Sequence, residues 1–438
     1  MGRKVFISFL GTNNYVQCIY DINGVLSEPV RFVQEALIDH ICKDWAEEDR
    51  ILIFCTSKEK TGEAGSKELN WLDNGQSRTA EEIEKIGLQH RLMDLQARIG
   101  LKAQFELHEI EAGFSEEEIW SIFDTVYAEL KDEDQIYFDV THAFRSIPLF
   151  STVLFNYSKF MRGTRLISIM YGAFEKLGPA YKVKEIPLEQ RIAPVIDLTN
   201  IARLQEYNQI ASSLKDFGKV APLRDVISET QANATDMTVQ QLSRSITKLD
   251  EYIATINLKE LKNGTFIRDF RGNYRRAKRV LEKPIANILE ELYKQTAEFE
   301  DRPCYRNIEA AINWTIKHDM LMQTYPLAEE YIVLRIADMF NDYKPENFSA
   351  KDFRFFVSSV LGMPDEDFQQ KNWKEKLADY PDVANIIADS PIVQDLRPMY
   401  EPIRSARNSL AHGNGAISYA ELKNRISCIR DCIEFLNR

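Results

Sequence analysis

Apolar and polar positions change their period about 190 residues into the chain. Before that point, short continuous apolar runs alternate with stripes of helical spacing. After it, only the helical period remains. Residues 5–10 form an apolar run ended by Gly11, the pattern of a buried strand. Residues 17–22 and 25–26 flank Asn23-Gly24, the strongest short hairpin signal. Apolar residues at 33, 37, 38, 41 and 45 make a helical stripe, and residues 50–56 read as a second buried strand. Residues 59–76 are polar and loop-like. Thr79-Ala-Glu-Glu82 and Ser115-Glu-Glu-Glu118 are capping boxes that open helices to about residues 99 and 130. Residues 105–110, 135–141 and 165–171 read as strands, and 180–186 as a hairpin or edge strand. Residues 146–161 read as a helix with Pro148 in its first turn, where proline is tolerated. This alternation predicts a doubly wound, largely parallel sheet.

From Ala193-Pro194 onward the strand signals stop. Amphipathic helices are expected at 200–217, 238–261, 273–299, 305–323, 326–340, 350–361 and 419–436. Prolines 284, 303, 326, 364, 381, 391, 398 and 402 are expected to break them. The predicted fold class is therefore α/β plus all-α: a Rossmann-like parallel-sheet domain over 1–192, then a helical domain over 193–438. No internal repeat or low-complexity tract interrupts either half.

Composition narrows the class. A chain of 438 residues calls for two or three domains, and 44% hydrophobic with 28% charged residues is the balance of a soluble globular protein. No apolar run reaches about 18 residues, so no membrane-spanning helix is expected. The apolar start is too short for a signal peptide and reads as the first strand, and Gly2 opens no myristoylation signal. Cysteines at 18, 42, 55, 304, 428 and 432 show no CxxC or Cys/His ligand spacing. Buried free thiols in a reducing cytoplasm are expected, with no metal site and no required cofactor. A net charge of −12 argues against coating duplex DNA but allows a confined anion site.

Three strand ends carry candidate chemistry, because open α/β sheets bind ligands beyond the carboxyl ends of their strands. Gly11-Thr-Asn-Asn-Tyr15 offers a flexible glycine, polar side chains and an aromatic, without a dinucleotide fingerprint or P-loop. Asp139-Val-Thr-His-Ala-Phe-Arg-Ser146 opens a helix whose N-terminus favours anions. The alternative is that Asp139 and Thr141 only cap that helix. Cys55-Thr-Ser-Lys58 ends a third strand, as a further wall of the crevice or as a solvated loop. Near the C-terminus, Arg407 and His412 stand five positions apart, expected within about a turn and a half on nearly one helix face. A histidine moves protons near neutral pH and an arginine holds phosphate, the pair that metal-free RNA cleavage requires.

The order GTNNY, an NG hairpin, DVTHAFRSIP and a closing RNSLAH resembles one family over essentially the whole chain. It is similar to the CARF–HEPN ancillary ribonucleases of type III CRISPR systems. CARF is the CRISPR-associated Rossmann-like domain and HEPN the helical nucleotide-binding ribonuclease domain. The resemblance implies a homodimer, or a higher oligomer, that binds cyclic tetra- or hexa-adenylate as activator. Gly11, Thr12, Asn13, Asn14, Tyr15 and Ser57 would contact that ring, with Asp139, Thr141, His142, Ala143, Phe144, Arg145 and Ser146. The family's turn often carries glycine where Ala143 stands here.

For the helical domain the resemblance implies cleavage of single-stranded RNA by 2′-hydroxyl attack, with no metal. His412 would move the proton, Arg407 would stabilise the phosphorane, and Asn408 would hydrogen-bond the site. Arg404, one turn earlier, would add charge; helix capping or a surface face is the alternative for Asn408 and Arg404. The resemblance also leaves two alternatives to an activated ribonuclease: a sensor that degrades its own cyclic ligand, and a non-catalytic regulator. The one strongly basic run is residues 268–279, interleaved with Phe270 and Tyr274. It is either an RNA-guiding surface or a solvated face paired with nearby acids, the latter favoured. His40, His90, His108 and His318 read as structural or exposed.

Overall fold

The computed structural model describes residues 2–72, 86–142, 147–230, 237–413 and 417–438. It divides into two compact units, Met1–Leu204 and Gln205–Arg438. The capping box at 79–82 lies outside the described residues.

The first unit is built on an eight-stranded sheet. Its strands are β1 (Lys4–Leu10), β2 (Ile19–Ile22), β3 (Val25–Leu26), β4 (Arg50–Thr56), β5 (Gln104–Ile110), β6 (Gln135–Asp139), β7 (Arg165–Gly172) and β8 (Ile192–Asp197). Their order is β3-β2-β8-β7-β6-β1-β4-β5. Five of them, β5-β4-β1-β6-β7, run parallel. β8 is antiparallel to β7 and parallel to β2. The chain winds from β1 through β4 to β5, then returns to the other side of β1 with β6 and β7. The winding direction thus reverses between β1 and β6.

The apolar runs explain why β1 and β4 are central, since alternate residues fill opposite faces of the sheet. Phe6, Leu10, Ile51 and Ile53 pack with Val33, Leu37, Leu92 and Leu95 on one face. Val5, Ile7, Leu52 and Phe54 pack with Ile122, Val126, Leu154 and Phe155 on the other. The Asn23-Gly24 hairpin closes as expected, with φ of 54° and 86°. These are the positive angles that a two-residue hairpin turn demands.

Two boundaries differ from expectation. Residues 180–183 are a helical turn rather than a strand. The sheet also gains its last strand, β8, past the expected boundary at 192. Pro194 hid that strand, because proline cannot donate to a ladder. It stands just beyond the last register pair with β7, Gly172 with Val195, where its carbonyl still accepts from Ala173 N at 2.9 Å and only the return bond is missing. Ala193 beside it is fully buried.

The second unit is all helical. The helix Pro391–His412 runs 22 residues straight through Pro398 and Pro402, and Leu321–Met339 runs through Pro326. Prolines expected to break helices therefore sit inside them. The buried stripe Val393, Leu396, Tyr400, Ile403 and Ala406 has helical spacing and drives the segment into the core. Pro391 starts the helix, and Pro398 is exposed on its outer face, where water can serve the carbonyl it frees.

An interior proline costs a helix about 3 kcal/mol relative to alanine. Pro398→Ala is therefore expected to raise the stability of the second unit by roughly 2 kcal/mol in chemical denaturation, part of the gain being offset by a freer unfolded chain. An unchanged or lowered midpoint would show that the proline is not strained there.

Candidate functional site

The reversal point between β1 and β6 is where an open α/β sheet leaves a crevice. The loop after β1 and the turn after β6 meet there around a cavity of about 450 Å³. The loop contributes Asn13, Asn14 and Tyr15, and the turn contributes Thr141 and His142. Val16, Tyr20, Arg31, Gly172, Phe174, Glu175 and Ala180 complete its described lining.

The loop is held by packing and by one amide. The Tyr15 ring lies 4.3 Å from the His142 ring and 5.2 Å from Phe32. A Cβ on Gly11 would fall 2.6 Å from Tyr15 Oη and 3.2 Å from the His142 carbonyl. Only glycine lets the loop and the turn approach this closely. Buried Asn70 donates through Nδ2 to the carbonyls of Gly11 (2.8 Å) and Asn13 (3.0 Å). Its Oδ1 accepts from Arg31 Nη2 at 3.3 Å, and Arg31 Nη1 donates to the Ile86 carbonyl at 3.0 Å. Asn70 thus shapes the loop and aims the guanidinium together. Arg31 is the cation among the described lining residues.

Beneath the turn lies a buried polar network. Asp139 Oδ2 accepts from Ser8 Oγ (2.7 Å), and its Oδ1 accepts from Thr141 Oγ1 (2.6 Å) and Thr141 N (3.0 Å). Thr141 Oγ1 accepts in turn from Gly172 N at 2.8 Å, and Ser8 Oγ accepts from Gln34 Nε2 at 3.0 Å. Burial raises the Asp139 carboxyl above its usual range, and the hydrogen bonds from Thr141 and Ser8 oppose that rise. Burial alone pushes His142 down to about 3. His142 is therefore neutral near pH 7 and offers a ring and one N–H rather than a charge. Its Nε2 is enclosed without a hydrogen-bond partner.

The expected ligand residues separate into groups. Asn13, Asn14, Tyr15, Thr141 and His142 line the cavity. Gly11 and Asp139 support it from behind, Asp139 by tying three strands together, and the residues just before the helix Ile147–Arg162, where a cap would act, lie outside the described residues. Thr12 is exposed and outside the described lining. Ser57 is buried at the end of β4, where its hydroxyl accepts from Lys60 N and caps the turn Lys58–Thr61; it does not line the cavity. Ala143, Phe144, Arg145 and Ser146 lie outside the described residues. Arg31, Asn70, Gly172 and Glu175 were not anticipated. The one signal was a lone arginine in the apolar stretch Pro29-Val-Arg-Phe-Val33. Asn70 fell in a segment whose polarity read as loop.

In the second unit, Arg407, Asn408 and His412 all lie on the helix Pro391–His412, which ends at Gly413 with φ of 60°. Five helical residues turn through about 500°, so Arg407 and His412 stand about 140° apart around the axis. They do not share a face, contrary to the expectation. Arg407 Nε lies 3.1 Å from Glu329 Oε2, and its Nη1 donates to Asn408 Oδ1 at 3.0 Å. Glu329 is buried and also accepts from Tyr400 Oη at 3.2 Å. Burial raises the Glu329 carboxyl, with Arg407 pulling the other way. His412 is exposed at the helix end. Arg404 pairs with Glu401 at 3.5 Å and lies against Gly362, where a Cβ would fall 2.6 Å from its Nε.

The aromatics of the basic run are core residues. Phe270 and Tyr274 are buried in the helix Thr265–Ala277, and Tyr274 Oη donates to Glu290 at 2.7 Å. A further cluster joins Glu106 and His108 of β5 to Glu129, with ligand atoms within 4.8 Å of one another. One imidazole and two carboxylates suit a divalent cation. Arg50 Nε already stands 3.1 Å from Glu106 and supplies positive charge there. No described helix is long and apolar enough to cross a membrane.

No family model matches the chain. A curated relative, CRISPR-associated protein MJ1674 of Methanocaldococcus jannaschii, is 30% identical over 156 residues, 35% of this chain. The matched part spans 22% of that relative's length. Among solved structures, Enterococcus italicus Csm6 bound to cyclic hexa-2′-fluoro-hexa-dAMP aligns with a TM-score of 0.45 at 14% identity. That alignment covers 100% of this chain and 92% of the other. Similarity to a CRISPR-associated protein agrees with the resemblance carried by the motifs.

The state of His142 sets a pH dependence. Its imidazole is protonated in the unfolded chain below about 6.5 but stays neutral in the fold down to about 3. Between these values the unfolded state binds the extra proton, so stability falls as pH falls through that window and is level above it. His142→Phe is expected to lessen the loss of stability between pH 7 and pH 5, measured by urea denaturation. Equal losses in both proteins would show that His142 protonates in place.

Proposed function

We propose that this chain is a cyclic-oligoadenylate-activated, metal-independent endoribonuclease of the CARF–HEPN type, acting in the cytoplasm in type III CRISPR defence. The first unit is the sensor and the second carries the nuclease chemistry. The observation that carries the reading is the cavity at the sheet's reversal point, walled by the GTNNY loop and the DVTH turn. Its chemistry suits a ring of nucleotides: a guanidinium for phosphate, amides for ribose and base edges, and a Tyr–His–Phe cluster beside them. Similarity to a CRISPR-associated protein supports the setting.

The reaction is attack of the ribose 2′-oxygen on the adjacent phosphorus, with loss of the 5′-oxygen. It leaves a 2′,3′-cyclic phosphate and a free 5′-hydroxyl. His412 accepts the 2′-hydroxyl proton or donates one to the leaving oxygen. Arg407 faces the charge that grows on the phosphorane. Glu329 and Asn408 hold two of its nitrogens and leave the Nη2 edge for phosphate, which makes both positioning residues. Because Arg407 and His412 of one helix diverge, a homodimer supplies the complete set, with two such helices facing one RNA strand.

The test is cleavage of single-stranded RNA in a chelator, with tetra- and hexa-adenylate rings compared side by side. His412→Ala is expected to lose at least about a hundredfold in rate while binding the ring as before. Arg31→Ala is expected to raise the activator concentration needed without changing the maximal rate. Cleavage that persists in His412→Ala would remove its role, and unchanged activation in Arg31→Ala would remove the cavity's.

A further inference from the structure

The helix Thr265–Ala277 and the turn that follows it carry arginines at 268, 275, 276 and 279, all exposed. Residues 268, 272 and 275 are spaced four and three apart, so they form one stripe along the helix, with Arg276 at its flank and Arg279 continuing it in the turn beyond the helix end. In a chain of net charge −12, such a face would ordinarily be neutralised by neighbouring acids. Here it is not. Arg275 Nη2 donates to the Tyr293 hydroxyl at 3.2 Å, and Arg276 Nη2 to Asn273 Oδ1 at 2.5 Å. Among the described residues, neither these two nor Arg279 has a carboxylate within 4 Å. Arg268 reaches Asp269 only at 4.0 Å. Of the two acids of the helix Lys283–Gln295, Glu290 is taken by Lys278 and Tyr274, off the stripe, and Glu291 accepts from Gln295 Nε2 at 3.2 Å.

The glycine in the stripe is the second observation. Gly272 lies in the helix interior, where glycine weakens a helix. No turn, cap or positive φ requires it, and a Cβ there would meet nothing within 4 Å. The fold itself has no use for the missing side chain. A glycine between cations does have one use: it lets a bulky, charged backbone come down onto the helix surface. Phe270 and Tyr274 are buried, so the face offers charge and close approach but no stacking platform.

We infer that the stripe Arg268–Gly272–Arg275–Arg279 is a seat for the phosphate backbone of single-stranded RNA, separate from the Arg407–His412 pair and indifferent to base sequence. The inference rests on the ribonuclease reading for the identity of the polyanion. Lacking base contacts, the face contributes affinity through counterion release, with a steep salt dependence.

The experiment uses full-length His412→Ala protein, labelled oligouridylate and a potassium chloride series. Replacing Arg275 and Arg279 together by alanine is expected to weaken binding and to flatten the slope of log K against log salt by about 1.4, roughly 0.7 per lost contact on a single strand. Gly272→Ala is expected to raise the melting temperature while weakening RNA binding. A merely structural glycine would not separate the two readouts in that way. Unaltered affinity and slope in both variants overturn the inference. So does a change of oligomeric state without a change in RNA binding, because the acidic surface of a second copy is then the occupant. If the His412→Ala parent binds no RNA at all, the ribonuclease reading fails first and this inference falls with it.

Discussion

A carboxylate that cannot reach water governs the N-terminal unit. Asp139 ends β6 in a fully buried position, and a buried charge without partners costs several kcal/mol. Its two oxygens accept three hydrogen bonds, from Ser8 of β1 and from the Thr141 amide and hydroxyl. The same hydroxyl accepts from Gly172 at the end of β7. One side chain therefore registers the ends of three neighbouring strands and fixes the turn that bears His142. The two glycines follow from that registration. A Cβ on Gly172 would fall 2.6 Å from Val33 Cγ2, as one on Gly11 would strike Tyr15. The cavity is shaped by satisfying this charge, and its lining side chains inherit their positions from it.

The helical unit repeats the device with a different partner. Glu329 is the buried acid there, and Arg407 and Tyr400 satisfy it from a second helix. That helix holds three prolines, which local propensity alone would not allow. Its apolar stripe buries enough surface to override them, because each proline stands off that stripe. The guanidinium at Arg407 is consequently rigid in two of its three nitrogens before any substrate arrives. Such pre-organisation would suit the role proposed for it at a developing charge.

The fold was legible wherever local pattern and tertiary burial agree. β1 and β4 read as strands because both faces of each are buried, so apolar residues fill them almost without interruption. The hairpin at Asn23-Gly24 read correctly because the backbone angles there are a local demand. β8 was illegible because Pro194 is a local signal against a strand, and its harmlessness depends on where pairing with β7 ends. The helix Pro391–His412 was missed for the same reason in reverse. At the cavity, GTNNY and Thr141-His142 were readable as polar strand ends. Arg31 and Asn70 reach it across long sequence separations through hydrogen bonds that no spacing rule encodes. Counting residues between Arg407 and His412 suggested one face, but a helix does not close in five.

Charge is the remaining constraint. An excess of acidic residues repels a polyanion most within a Debye length, about 8 Å at physiological salt, because salt screens the repulsion beyond it. Affinity for phosphates must then come from sites where cations are held apart from carboxylates. The chain does this by fixing two of its arginines with neutral partners: Arg275 with a tyrosine and Arg276 with an asparagine. Each keeps its full charge for an external anion, which a salt bridge would have consumed. Arg407 is the exception: its pairing with buried Glu329 spends charge and fixes its orientation. A site meant to attract leaves its cation unneutralised, whereas a site meant to act at one geometry can spend charge on rigidity.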